Sequence, residues 1–313
     1  MNQYLMAHNL INERRKEALV SNKIGPNVLI TGTTHSGKTT LCHILLNYAV
    51  KLGWTPLYVD LDLSNEITVP GNLSAAVIDY PIPNDFLIDS AISLFHGNPN
   101  NEINFYLYEK QINEMANIIK SKMENELEIF KKKLNIHTDK NTFVSSENPT
   151  VYASGSIINC PTISKDNIYK LIINEFDCDY VFVIENEKLY HDLVKTYKNS
   201  KVQISMIPKS RGVVSLDNNY KEYVEQKRYS NYFKGPFNNL RLNELSLDLN
   251  SFKLLQIISS NVTSSILPIG TTSDLNLIIK EINLEEENLL NRVVAILHLD
   301  EKVINDLDSN YDR

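Results

Sequence analysis

The sequence predicts an α/β protein built on a parallel, doubly wound sheet. Three observations carry this. A short apolar strand, Val28–Thr31, runs directly into Gly32-Thr-Thr-His-Ser-Gly-Lys-Thr39 and then into an amphipathic helix. From there to residue 207, short apolar runs alternate with helical patterns, the order that makes a sheet wound on both faces. Runs such as Tyr180-Val-Phe-Val-Ile-Glu185 are apolar nearly throughout, as strands covered on both sides must be. After Gly235-Pro236 the pattern changes to short strand-like pieces, so the chain divides into a phosphate-loop unit over 1–235 and a small C-terminal β-rich unit over 236–313.

The elements follow in order. Tyr4 to Val20 reads as a helix that packs across the edge of the sheet, and Lys23 to Pro26 is the turn before the first strand. The helix after the loop, Thr40 to Lys51, places Leu41, Ile44, Leu45, Tyr48 and Leu52 at helical spacing. Pro56 to Asp62 is a second strand, on which Asp60 and Asp62 share one face because the side-chain period is two. Residues 67–79 form an excursion with a turn at Pro70-Gly71 and a strand at Ala75 to Ile78, and His96 to Asn101 is a polar loop expected near the site. A long helix runs from about Glu102 to Leu134, and 135–149 is a polar surface loop. Ser156–Cys160 and Tyr180–Glu185 are buried parallel strands joined by a helix over 166–176; a helix at Lys188–Tyr197 and a strand at Lys201–Ile207 complete the pattern.

The chemistry sits in the loop. A nucleoside triphosphate presents several charges close together, and backbone N–H groups can cradle them where side chains would collide. Gly32 and Gly37 allow the close approach, while Thr33, Thr34, His35 and Ser36 contribute backbone donors, His35 as a spacer and not as a general base. Lys38 supplies a point charge for the β- and γ-phosphates, the Thr39 hydroxyl is a Mg²⁺ ligand, and Thr40 opens a helix whose positive end faces the same oxygens. A carboxylate at the carboxyl end of the neighbouring strand, Asp62 or Asp60, is placed to join the metal shell or to activate an attacking hydroxyl; an ordinary strand-end acid facing water is the plainer alternative.

Composition narrows the class. No apolar run approaches membrane-spanning length, and Met1-Asn2-Gln3-Tyr4 lacks the layout of a secretory signal, so a cytosolic or nuclear protein without membrane contact is expected. Cys42, Cys160 and Cys178 are far apart and form no C-x-x-C pair, which argues for three buried thiols and against a zinc site. The net charge of -7 gives no global attraction to nucleic acid. Its distribution is uneven, however: Lys201 to Arg241 holds eight basic residues against three acidic, and Glu281 to Arg313 nine acidic against three basic. The first segment is therefore expected to face the cleft of the loop and the second to lie away from it. Lys131-Lys-Lys133 ends the long helix and reads either as an RNA contact or, more simply, as a solvated end favoured by the helix dipole.

The run Gly25 to Val50, followed in order by Tyr58-Val-Asp-Leu-Asp62, Val69-Pro-Gly71, Ser154-Gly-Ser-Ile-Ile-Asn159, Ile207-Pro-Lys-Ser210, Gly212-Val-Val214 and Tyr232-Phe-Lys-Gly235, resembles the polyribonucleotide 5′-hydroxyl kinase family. In particular it is similar to the branch that serves as P-loop subunit of the pre-mRNA cleavage factor and, in some organisms, of the tRNA splicing endonuclease complex. The resemblance implies a RecA-like P-loop core, ATP and Mg²⁺ as cofactors, RNA and a large scaffold subunit as partners, and a nuclear location. It places Lys38 and Thr39 at the phosphates and metal, Asp62 as metal-shell residue and base, and Arg228 as the nearest remaining lid cation. Four departures accompany it: Glu225 and Ser230 stand where active kinases carry two lid arginines, Ile163 stands at the tryptophan that clasps the RNA end, Ser64-Asn65 replaces Gly-Gln, and the family's N-terminal β domain has no counterpart in the sequence. These imply weak or lost transfer, with an active RNA 5′-hydroxyl kinase as the alternative and a nucleoside kinase as a third, weaker one.

Overall fold

The computed structural model describes residues 2–64, 71–83, 92–137, 151–163, 165, 167–235, 237–246, 248, 253–259, 277–282 and 292–297. Its centre is a seven-stranded sheet. The strands are β1 (Asn27–Gly32), β2 (Leu57–Asp60), β3 (Asn72–Val77), β4 (Ile92–Phe95), β5 (Ser156–Asn159), β6 (Tyr180–Ile184) and β7 (Gln203–Ile207), in the order β4-β3-β2-β5-β1-β6-β7. Five neighbours, β2-β5-β1-β6-β7, run parallel, whereas β3 and β4 return antiparallel along one edge. The parallel expectation is thus corrected at that edge. A β2–β3 connection of about a dozen residues or fewer favours an antiparallel return over a crossover, which needs roughly a dozen or more.

Helices cover both faces. On one lie α1 (Asn2–Ser21) and α2 (Lys38–Lys51), where Ala7, Ile11, Leu41 and Leu45 meet Val28, Ile30, Tyr58, Phe182 and Ile184. On the other lie α3 (Phe105–His137), α5 (Asn167–Glu175) and α6 (Glu187–Thr196), with Ile112, Met115, Ile172 and Leu193 packed on Leu29, Val59, Ile158 and Val181. The strict alternation of β1 side chains between the two clusters is the period-two rule acting on a strand buried on both faces. A short helix, α4 (Val151–Ser154), precedes β5. Contrary to expectation, α1 lies on the face beside α2 and not across the sheet edge, because Ala7 and Ile11 bury there and Arg15 Nε donates to the Ser154 carbonyl at 2.7 Å.

Other corrections concern boundaries. The second strand stops at Asp60, and Leu52, placed on the buried face of α2 by its spacing, is exposed beyond the helix end. The sequence pattern did not single out α7 (Asn218–Lys234), a 17-residue helix capped by Asp217, whose Oδ1 accepts from Tyr220 N at 2.8 Å. Near the C-terminus β8 (Leu255–Ser259) pairs antiparallel with β9 (Leu277–Glu281). Most of the expected surface loop over 135–149, the Pro70 turn, Asn65 and most of the acidic tail lie outside the described residues. The three cysteines are free and buried, as expected.

Candidate functional site

The parallel register brings the carboxyl ends of β1, β5 and β2 side by side: Ile30 pairs with Asn159, and Asn159 with Asp60. The phosphate loop leaves β1 at this edge. Gly32 passes so close to β6 that a Cβ there would lie 2.3 Å from the Ile184 carbonyl oxygen, and Thr33 N donates to that same oxygen at 3.2 Å. Gly37 holds φ +90 at the N-cap of α2 and provides no side-chain acceptor to the first helical turn. Its N–H groups are in the arrangement that favours an anion. His35 takes φ 54, so its backbone is what shapes the loop.

Lys38, 8% exposed, is held at two points. Its Nζ donates to Thr33 O at 3.0 Å and to Thr162 Oγ1 at 2.8 Å, and the Thr162 hydroxyl donates to Gly32 O at 3.0 Å. Burial lowers the lysine pKa, opposed by the Asp62 carboxylate and by the Cys160 and Cys42 thiols.

The two aspartates differ. Asp60 is buried, and its Oδ1 accepts from Asp62 N and from Asn159 Nδ2, both at 3.0 Å. Burial, with the Asp62 charge beside it, pushes its pKa up to about 7 despite those hydrogen bonds. Asp62 lies past the strand end, half-buried, and its Oδ1 accepts from Ser64 N at 3.1 Å and Ser64 Oγ at 2.6 Å. The two carboxylates therefore meet through a turn in which Asp60 bonds the Asp62 backbone, not through one face of a strand.

Asn159, fully buried, links this pair to the loop: its Nδ2 also donates to Thr39 Oγ1 at 3.3 Å. Neither Asn159 nor Thr162 was singled out from sequence. Their signal is weak, a lone polar residue at the end of an apolar strand and another just beyond it. Above them, α7 brings in Arg228, half-buried, whose pKa is lowered by burial and drawn back up by Asp62 and Asp60. The segment before α7 comes down on the loop, since a Cβ on Gly37 would meet Val213 Cγ2 at 3.1 Å.

The site therefore gathers Lys38, Thr39, Asp60, Asp62, Asn159, Thr162 and Arg228. Ile163, which the resemblance aligns with a tryptophan clasp, is buried with its N–H and carbonyl both bonded to the Tyr169 hydroxyl, and the neighbouring residue that meets the loop is Thr162. The His96 ring itself is held away from the phosphate loop, its nitrogens bonding Gln111 Oε1 and the Ile103 carbonyl, each at 2.9 Å. Its backbone N–H donates to Gly71 O, and Gly71 N to Leu63 O beside the Asp62 turn. Lys132 pairs with Glu128 at 3.7 Å on an exposed helix end, in keeping with the plainer reading of the lysine run.

A nucleotide phosphate fits the loop as built. Ser36 Oγ is buried there without a hydrogen-bond partner among the described residues and can donate to a phosphate, while the equally unpartnered Asn159 Oδ1 is an acceptor that suits a cation's water and not a phosphate oxygen. For Mg²⁺, Thr39 with Asp62 or Asp60 is the sparse oxygen set suited to an ion that keeps waters and phosphates in its shell.

Comparison with known proteins agrees with this geometry. The family model for the mRNA cleavage and polyadenylation factor CLP1 P-loop matches residues 32–140 and 137–235. An Arabidopsis thaliana CLP1 homolog is 29% identical over 321 residues, covering 96% of this chain and 66% of the relative. The Homo sapiens polyribonucleotide 5′-hydroxyl-kinase Clp1 is 26% identical over 279 residues, covering 87% of this chain and 60% of the relative. The chain thus spans 60–66% of the length of these curated relatives. A solved Clp1p–Pcf11p complex shares the fold with a TM-score of 0.60 at 23% identity, over 83% of this chain and 57% of that one. No helix among the described residues is long and apolar enough to cross a membrane. With the family model matching well over half of its residues, the chain belongs to the CLP1 P-loop family of mRNA cleavage and polyadenylation factors.

Proposed function

We propose that this protein binds ATP and Mg²⁺ and works in nuclear RNA processing, in pre-mRNA 3′-end cleavage and polyadenylation or in tRNA splicing, with weak or lost transfer of phosphate to RNA 5′-hydroxyls. In this reading residues 1–235 form a RecA-like ATP-binding domain and 236–313 a small C-terminal domain, and the partners are RNA and a large scaffold subunit of the processing complex. Gly32 to Thr40 hold the phosphates, and Lys38 leaves Thr33 O and Thr162 Oγ1 to meet them. Thr39 and Asp62 hold Mg²⁺, which when bound neutralises phosphate charge, while Asn159 keeps Thr39 and Asp60 in register.

The observation that carries the reading is the make-up of α7. It contains a single arginine, Arg228, near enough to Asp62 and Asp60 for their charges to act on it, with Glu225 one helical turn before it. Transfer spreads negative charge over the phosphoryl oxygens, and an arginine placed there is worth about 10³ to 10⁵ in rate. Arg228 feels the charge of the two carboxylates, and Glu225 adds a charge of the wrong sign.

The same Arg228 also favours the alternative, an active RNA 5′-hydroxyl kinase in which it serves as the lid cation and Asp62 as the base. Thermal unfolding with and without Mg-ATP, together with transfer from γ-labelled ATP to 5′-hydroxyl RNA, DNA and nucleosides, separates the readings. A thermal shift with little transfer is expected. No shift at saturating Mg-ATP contradicts nucleotide binding, and brisk transfer to RNA establishes the alternative.

A further inference from the structure

We propose that the outer face of α7 is a stacking platform for single-stranded RNA alongside the site, an inference that rests on the RNA-processing reading above. Helical geometry puts Tyr220, Tyr223, Lys227, Asn231 and Lys234 on one stripe, within roughly 80° of arc and about 21 Å long. Tyr220 is 50% and Tyr223 59% exposed, with ring centroids 6.2 Å apart and planes inclined by 42°. Lys227 and Lys234 are exposed beyond them, and Asn231 lies between.

The composition of the stripe selects the partner. A face meant for another protein's core would present aliphatic side chains, but these five positions hold none. They offer π-faces, which accept any base, and cations, which accept the backbone. The acids of the helix stand elsewhere: Glu222 and Glu225 project roughly 200° and 140° round from Tyr220. Asp217 is engaged at the N-cap by Tyr220 N. Arg228, about 100° round from the middle of the stripe, is near enough to Asp62 and Asp60 for their charges to act on it, and Val213 just before α7 lies against Gly37, so the stripe runs alongside the site. The length of the stripe suits a few nucleotides, and a duplex, whose bases are already stacked, has no free π-face for it.

The test is fluorescence anisotropy of the full chain with a 3′-labelled, 5′-hydroxyl ten-nucleotide oligouridylate and with a duplex of the same length. The wild type should prefer the single strand. Tyr220→Ala with Tyr223→Ala should weaken single-strand binding at least about tenfold, while Tyr220→Phe with Tyr223→Phe retains it, because stacking needs the ring and not the hydroxyl. Lys227→Ala with Lys234→Ala should reduce the slope of log K against log salt by about 1.4, two phosphates' worth on a single strand. The Mg-ATP thermal shift should be unchanged in both tyrosine variants. If the alanine pair binds the single strand as wild type does, the stripe is not an RNA surface and falls to protein docking, with the ATP-binding and RNA-processing reading intact. If wild type binds neither probe, the RNA reading itself fails and takes the proposal with it.

Discussion

The phosphate loop and α7 both come near the same aspartates but are built differently. In the loop the functional groups are fixed by backbone and buried side chains: Gly32 against the Ile184 carbonyl, Lys38 on Thr33 O and Thr162 Oγ1, Asp60 on the Asp62 N–H and Asn159 Nδ2. On α7 Arg228 comes under the charge of this cluster, while Tyr220, Tyr223, Tyr232 and Phe233 are 43–59% exposed. One region can change little without losing the fold, and the other can change freely. On the proposed reading, Glu225 and Ser230 are changes of the second kind, which remove a catalytic arrangement without disturbing a core.

The largest effect expected concerns Asp60. Its carboxyl keeps its proton up to about pH 7 when folded, against 3.8 for an ordinary one. Between those values the folded chain binds more protons than the unfolded chain, so stability is full below about pH 4 and falls as pH rises towards 7, by up to about 4 kcal/mol. Urea unfolding without nucleotide or divalent cation should show that slope. Asp60→Asn should flatten it, because an amide can accept from Asp62 N through Oδ1 and donate to the Tyr58 hydroxyl, now beside Asp60 Oδ2 at 3.4 Å. An unchanged slope would assign the pH dependence elsewhere.

Next comes Gly32→Ala, whose Cβ would meet backbone and not a movable side chain; a loss of about 3 kcal/mol in the same assay is expected. Lys38→Ala should remove the ligand-dependent stabilisation, which for wild type reaches about 2.7 kcal/mol at a ligand concentration 100 times Kd. A thermal shift that survives this change would show that the nucleotide is held without the lysine. The smallest effect belongs to α7: Tyr223→Ala should alter stability by less than about 0.5 kcal/mol, and a larger loss would mean that this face is packed after all.

The two regions also differed in how far they could be read from sequence. Gly32, Gly37, Lys38 and Thr39 announce themselves because phosphate binding needs those types at that spacing, and β1, β5 and β6 because burial on both faces leaves continuous apolar runs. The direction of β3 was not legible, since the apolar pattern of a strand does not say whether it returns parallel or antiparallel. Asp60 and Asp62 were found, but not the turn that separates them, which depends on one side chain bonding a backbone two residues on. Asn159 and Thr162 were missed because single polar residues near a strand end carry no periodic signal. The helix α7 was missed for the opposite reason: it has tyrosines and lysines on its outer stripe where a core-facing helix would show an apolar one.

The central claim is that the loop still holds ATP while the lid no longer supports transfer. The most direct measurement is the initial rate of transfer from γ-labelled ATP to 5′-hydroxyl RNA by wild type and by the double variant Glu225→Arg with Ser230→Arg, each at saturating Mg-ATP. The account predicts weak or no transfer by wild type and an increase of about 10² or more in the variant, as cations return to the transferring group. Brisk transfer by wild type, unaltered by the double change and abolished by Arg228→Ala, would contradict it and make Arg228 the working lid.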